Sequence, residues 1–382
     1  MKYILCILWL IFLFESCANK NETSYSLRPS DCYLSYPIDE DTRLPTVCLW
    51  TFKENGHEYL AFDNQGTEIL LYDMQSQKMI KKVRFEKEGS NGIGNINSFF
   101  IKDFHHIYIP SPSDGLYVTD TTAVIKQHIR FSDFRGKDQL VRFFSRTSNY
   151  TPICFLHNGV YISQPVNPML NVEYVDQNPV GALLDSISGM KIVTPLKYHS
   201  HIPVKNLPHY VRGTLVSCCF DGSQLIYSFD STDSLFTLSA DFRQIKAYYA
   251  KSRYISKVKI ESIQDVDFSR ILKKNCEDAA YGNILYDKYR KVYYRFAYPQ
   301  TEMDGRDVSK YLDILHWGSK SFSIIILDKN FQVIGETKFS DFTYNSRMFF
   351  IREDGLYLSV THFKRPDFNE SVLRFQRIDL VK

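Results

Sequence analysis

The chain has 382 residues, with 46 lysines and arginines against 43 aspartates and glutamates and a formal net charge of +3. That balance excludes an acidic disordered tail and gives no basic field for nucleic acid. With 28 Phe, 26 Tyr and 3 Trp, the composition favours sheets, because aromatic side chains suit a pleated, half-buried surface.

The first predicted element is a leader. Lys2 supplies a positive start, Tyr3 to Phe14 form an apolar run of 12 residues, and the small Ser16 precedes Cys17. Such a run is too short to cross a hydrocarbon core about 30 Å thick as a helix, and it reads as a secretory signal over residues 1–16. The cysteine at the cut point resembles the lipobox of bacterial lipoproteins. This resemblance implies that the Cys17 thiol takes a diacylglycerol, that residues 17–23 form a linker, and that the membrane is met through an N-terminal lipid. Asn19, two residues after the cysteine, is not the aspartate associated with inner-membrane retention. The expected destination is therefore the outer membrane, on its periplasmic or cell-surface face. The alternative is an ordinary cleaved signal in which Cys17 is incidental. No later segment is apolar for 18 residues.

Beyond the leader, one pattern recurs: a short apolar strand, a tight polar turn, and a second apolar strand. It reads VCLWTFKENGHEYLAF from Val47, SFFIKDFHHIYIP from Ser98, PICFLHNGVYIS from Pro152 and SCCFDGSQLIYSF from Ser217. It returns as NILYDKYRKVYYRF from Asn283 and RMFFIREDGLYLSV from Arg347. Four of the six turns carry Asn-Gly or Asp-Gly, a strong hairpin signal. Third strands follow at 68–73, 115–120, 181–186, 234–239 and 323–328, and fourth strands at 79–85, 124–131, 191–196, 244–249 and 332–339. Only Gln264 to Lys274 looks helical. The turns are roughly 50 to 70 residues apart, above the roughly 40–50 of a propeller blade, so the blades carry inserted loops.

The sixth repeat stops at Lys382 with three strands, and Ser24 to Ser35 has strand character ahead of the first repeat. An open edge is a liability that this segment can remove by supplying the missing outer strand. The expected fold is all-β: a six-bladed β-propeller of four-stranded antiparallel blades over residues 24–382, closed by an N-terminal strand. The segments NCEDAAYGNILYDKYRKVYYRFAYP (275–299) and EGSNGIGNI (88–96), with the leader, resemble the uncharacterised Bacteroidota-type lipoprotein propellers of unknown function, grouped loosely with TolB-like six-bladed propellers. The resemblance implies a fold and a cell-envelope location, and it supplies no catalytic residue.

Of the eight cysteines, Cys32, Cys48, Cys154, Cys218, Cys219 and Cys276 remain after the leader and Cys17, and most are expected as free, buried thiols. In an up-and-down blade the A–B and C–D turns share one end and the B–C and D–A connections the other. Here the former are short. The latter include 132–151, 164–180, 197–214, 250–282, 299–321 and 362–371, so one face is expected to carry the binding loops. Candidate residues on it are His199, His201, His209, Tyr210 and Arg212 in one connection, and Asp304, Arg306, His316 and Trp317 in another.

The His-x-His pair with a third histidine eight residues later has metal-ligand side chains, but no carboxylate or cysteine joins it at regular spacing. Neither metal nor other cofactor is expected. Gly89, Gly92 and Gly94 are expected to make a tight passage between blades, since no Gly-Lys-Ser/Thr accompanies them. There is no G-x-S-x-G and no H-E-x-x-H, so no catalytic residue is assigned. The leading expectation is a non-catalytic envelope lipoprotein that binds a small ligand or a protein through its long-loop face. The alternatives are an envelope enzyme acting on glycans or peptides over the channel, and a structural subunit of an outer-membrane assembly.

Overall fold

The computed structural model describes residues 24–382 except 45–47, 65, 112–113, 142–148, 168–169, 264–266 and 304–307. The signal at 1–16, the linker at 17–23 and the lipid site Cys17 lie outside the described residues.

Strands alternate with tight turns to give six four-stranded antiparallel sheets. Blade 1 holds Leu49–Glu54, His57–Asn64, Glu68–Asp73 and Lys78–Arg84. Blade 2 holds Phe100–Asp103, His106–Pro110, Leu116–Thr119 and Ile125–Ile129. Blade 3 runs from Cys154–Leu156 to Met190–Val193, and blade 4 from Val216–Phe220 to Ile245–Tyr249. Blade 5 is Ala280–Asp287, Val292–Tyr298, Phe322–Leu327 and Val333–Phe339. Within each, strands pair in chain order from the inside outward. At the first hairpin, Asn55 (φ 50°) and Gly56 (φ 81°) both take the left-handed conformation that a two-residue hairpin turn requires.

Blade 6 takes Asn345–Arg352, Gly355–Ser359 and Val372–Val381 from the end of the chain, and Ser26–Pro37 from its beginning as the outermost strand. The closing pair runs from Ser26↔Val381 to Pro37↔Val372, with a bulge between Pro29 and Tyr33. Pro29 is tolerated because an outer strand needs fewer amide donors. The same strand reaches both neighbouring blades. Tyr25 N donates to the Ile334 carbonyl at 2.9 Å, Leu27 N to Thr337 Oγ1 at 2.8 Å, and Ser35 N to Gln77 Oε1 at 2.6 Å. A Cβ on Gly335 would stand 1.9 Å from the Tyr25 carbonyl oxygen, so only glycine admits this approach.

Burial follows the ring. Six apolar clusters each fill one seam between adjacent blades, including the seam between blades 6 and 1, where Tyr36, Tyr72, Phe350 and Phe375 meet. The glycine loop at 86–98 drops Ile93 and Ile96 into the seam of blades 1 and 2 and makes the expected passage. Arg295 of blade 5 is 0% exposed and crosses to blade 4. Its guanidinium donates to Ser228 Oγ and to the carbonyls of Phe229, Thr232, Asp233, Ser234 and Ala250, and lies 3.7 Å from the Tyr281 ring centre.

Cys32 is exposed, while Cys48, Cys154, Cys218, Cys219 and Cys276 are buried, and all six are free thiols. Burial pushes the Cys218 and Cys219 thiols well above the usual range, which keeps them protonated. No helix among the described residues is long and apolar enough to cross a membrane.

Candidate functional site

The long connections add structure at one end of the ring. Helix α1, Phe268–Glu277, lies in the connection between blades 4 and 5, capped by Asp267, whose side chain accepts from Arg270 N. Helix α2, Val308–Trp317, lies in the B–C connection of blade 5. Leu272 and Cys276 pack on Tyr311 and Ile314, so the two helices share a small core of their own. A two-stranded ribbon, Tyr210–Val211 with Glu261–Ser262, stands beside them. The connection 299–321 was expected to be a loop. It instead contains α2, whose Val308, Tyr311, Leu312, Ile314 and Leu315 recur at helical spacing between Pro299 and Gly318.

Beneath the helices lies a pocket of about 290 Å³ whose polar lining includes Arg212, Asp230, Asn275, Asn283 and Arg347. Arg212 has φ 72° and sits just after the ribbon strand. Its guanidinium donates to Asn275 Oδ1 at 2.8 Å and to the carbonyls of Asn275, Asp278 and Ala279, tying α1 to blade 5. The Asp230 carboxylate accepts from the Gly213 amide at 2.9 and 3.0 Å and so fixes the turn that carries Arg212. Phe268, 62% exposed, lines this pocket, and Leu312, 39% exposed, lies on α2.

The channel is divided. Asn149 Nδ2 donates to the Phe349 carbonyl at 3.1 Å, and the Asn149 carbonyl accepts from Asn283 Nδ2 at 3.3 Å. The Tyr150 carbonyl accepts from Cys218 N at 3.1 Å and from Ser217 Oγ at 2.8 Å. These partners belong to the inner strands of blades 4, 5 and 6, so Asn149 and Tyr150, just ahead of blade 3, reach across the channel. Tyr150 lines the pocket under the helices, and Asn149 lines a second cavity of about 430 Å³ below it.

The remaining sequence candidates are dispersed. His199 is exposed, with its ring 5.0 Å from Phe236. His201 stacks on Tyr174 at 3.9 Å, with Nδ1 3.1 Å from Asp176 Oδ2. His209 Nδ1 lies 3.1 Å from the Ile263 carbonyl, and Tyr210 packs against the core between blades 3 and 4. His316 is exposed. Trp317 joins His362, Phe363 and Phe368, with Phe368 5.3 Å away edge-on. Asp304 and Arg306 lie outside the described residues. Among the described residues no group of three or more His, Cys, Asp or Glu is placed to hold a metal ion. Of the candidates, Arg212 lines the pocket.

The model of the family described as "Domain of unknown function (DUF4221)" matches residues 25–338. The chain belongs to that family. A solved DUF4221 member from Bacteroides vulgatus ATCC 8482 is 24% identical, covers 95% of this chain and 100% of its own, and superposes with a TM-score of 0.78, which shows the shared fold. The β-propeller domain of Myceliophteria thermophila Cps50 (Swd1) is 11% identical over 90% of this chain and 99% of its own, with a TM-score of 0.37. No curated protein matches.

The DUF4221 pocket draws its lining from blades 5 and 6, both helices and the segments flanking blades 3 and 4. Sequence reasoning missed Asp230, Asn275, Asn283 and Arg347 because each comes from a different segment, and no spacing links them. Asp230 directly follows an apolar strand in the sequence, and the structure buries it to 2% exposure, an unusual place for a carboxylate.

Proposed function

We propose that this DUF4221 propeller is a lipoprotein anchored in the outer membrane of the cell envelope, binding a ligand or protein partner through its long-loop face without doing chemistry there. One observation carries the reading. Both helices, the ribbon and the pocket gather at one end of the ring, while the other end is made of tight turns. Recognition residues concentrate on loops held by a rigid scaffold. Arg212 of the pocket is engaged with backbone carbonyls and so holds the binding face in shape. Phe268 and Leu312 leave apolar surface exposed on this face, whose removal from water favours association. The ring starts close behind Cys17, and seven linker residues reach at most about 25 Å, so a lipid on that thiol keeps the propeller near the bilayer.

Fractionation tests the anchor: the parent protein is expected with membranes, and Cys17→Ser in the soluble fraction. A photocrosslinking residue at position 312 tests the face against a control at position 329 in a short turn. Crosslinks to a common partner from 312 and none from 329 are expected. A parent protein wholly soluble, or crosslinks from 329 alone, removes the respective half of the reading.

A further inference from the structure

The 430 Å³ cavity below Asn149 lies at the end opposite the long-loop face and is independent of it. All six blades contribute to its wall, and the lining includes the aromatic rings of Trp50, Phe100, Phe155, Phe220, Tyr286 and Tyr289. Trp50 is fixed by donation from Nε1 to the Ile101 carbonyl at 2.9 Å, and its ring lies 4.6 Å from Phe100, which lies 5.5 Å from Phe155. Lys288 and Tyr289, in the A–B turn of blade 5, mark the mouth. Such size and composition are those of small-ligand sites, which are mostly apolar with a few placed polar groups.

The mouth is cationic. Lys288 lies 5.1 Å and Lys53 5.6 Å from the Tyr289 ring centre, and Lys102 lies 5.5 Å from that of Phe155. Lys53 belongs to blade 1 and Tyr289 to blade 5, so this contact reaches across the opening. Three carboxylates at this end are already engaged. Glu58 pairs with Lys53 at 2.8 Å and Arg352 at 2.6 Å, Asp287 with Arg290, and Asp221 accepts from the Tyr293 hydroxyl at 2.7 Å. Lys102 and Lys288 make no ion pair among the described residues, leaving two positive charges at the rim. At the deep end, Asn149 Oδ1 is buried with no hydrogen-bond partner among the described residues, an arrangement that a ligand donor can complete.

We infer that this chamber is a binding site for a small amphipathic anion, with an aromatic body among the rings and one carboxylate or sulfonate at the cationic mouth. The site goes beyond the long-loop reading and stands or falls separately from it.

Two probes of one aromatic frame test it on the closed ring, residues 24–382, which contains its own closing strand. They are 8-anilinonaphthalene-1-sulfonate, an anion, and N-phenyl-1-naphthylamine, its neutral counterpart. Both are expected to bind saturably, one per protein, with energy transfer from Trp50. Lys102→Gln with Lys288→Gln should weaken the sulfonate about tenfold and leave the amine within about twofold. Ile351→Trp, which fills the wall, should abolish both while the far-ultraviolet circular dichroism stays unchanged. The inference is overturned if neither probe saturates, if the lysine variant treats both alike, or if folded Ile351→Trp still binds.

Discussion

Arg295→Met probes how the seam between blades 4 and 5 is held. The guanidinium is fully buried, and desolvation pulls its pKa down to about 10, so it remains a cation at neutral pH. It is compensated by five backbone carbonyls, Ser228 Oγ and the face of Tyr281, whose hydroxyl donates to Asp233 Oδ1 at 2.6 Å. Methionine fills similar space but leaves those carbonyls facing an apolar side chain. Replacing both partners of a buried polar pair can be neutral, but backbone acceptors cannot be substituted away. Each orphaned acceptor costs about 1–3 kcal/mol, and breaking a buried charged network costs about 3–5 kcal/mol in total. The latter range is expected here, because part of the carbonyl set belongs to turns that can relax. Arg295→Lys should recover only part of the loss, since one ammonium cannot reach the same fork of acceptors. Urea unfolding of the parent and both variants, followed by circular dichroism, measures the difference. A methionine variant within about 0.5 kcal/mol of the parent would refute the reasoning.

Two further outcomes follow from the seams and the loops. Gly335→Ala places a Cβ against the Tyr25 carbonyl and should push the closing strand outward, costing about 1–3 kcal/mol and exposing the N-terminal residues to limited proteolysis; parent-like resistance would defeat this. His362 is 0% exposed, accepts from Lys364 N at Nδ1, and has its pKa pulled down to about 4 from 6.5, chiefly by burial. The unfolded chain therefore binds this proton first. Stability is full above about pH 6.5 and falls as pH drops towards 4, by up to about 3 kcal/mol, which His362→Leu should remove from the pH profile.

The six hairpins and the closing strand were legible because their signals are local: alternating apolar residues, a tight turn, and a chain end lacking a fourth strand. VLRFQRIDLV and SYSLRPSDCYLS each announced a strand, and ring closure required that they pair. Helix α2 escapes because the connection 299–321 is delimited only by the strands on either side of it, although Tyr311 and Ile314 stand three apart. Histidines chosen by residue type ended on different neighbours, His201 on Tyr174 and His209 on Ile263, because loop positions are set by the blades that anchor them. That Asn149 reaches Phe349, 200 residues away, depends on the diameter of the ring and leaves no trace in spacing.

Pairing Ser26 with Val381 also sets an order of events during biogenesis. Synthesis at about 5–20 residues per second separates the two strands by roughly 20–70 seconds, so the first strand made is the last to find its partner. Contacts this distant slow folding, and a waiting strand is prone to pair with another chain. Arg28, Pro29, Asp31 and Pro37 interrupt the segment with charge and missing amide donors. They make it a poor strand for intermolecular pairing while Val372–Val381 is still absent.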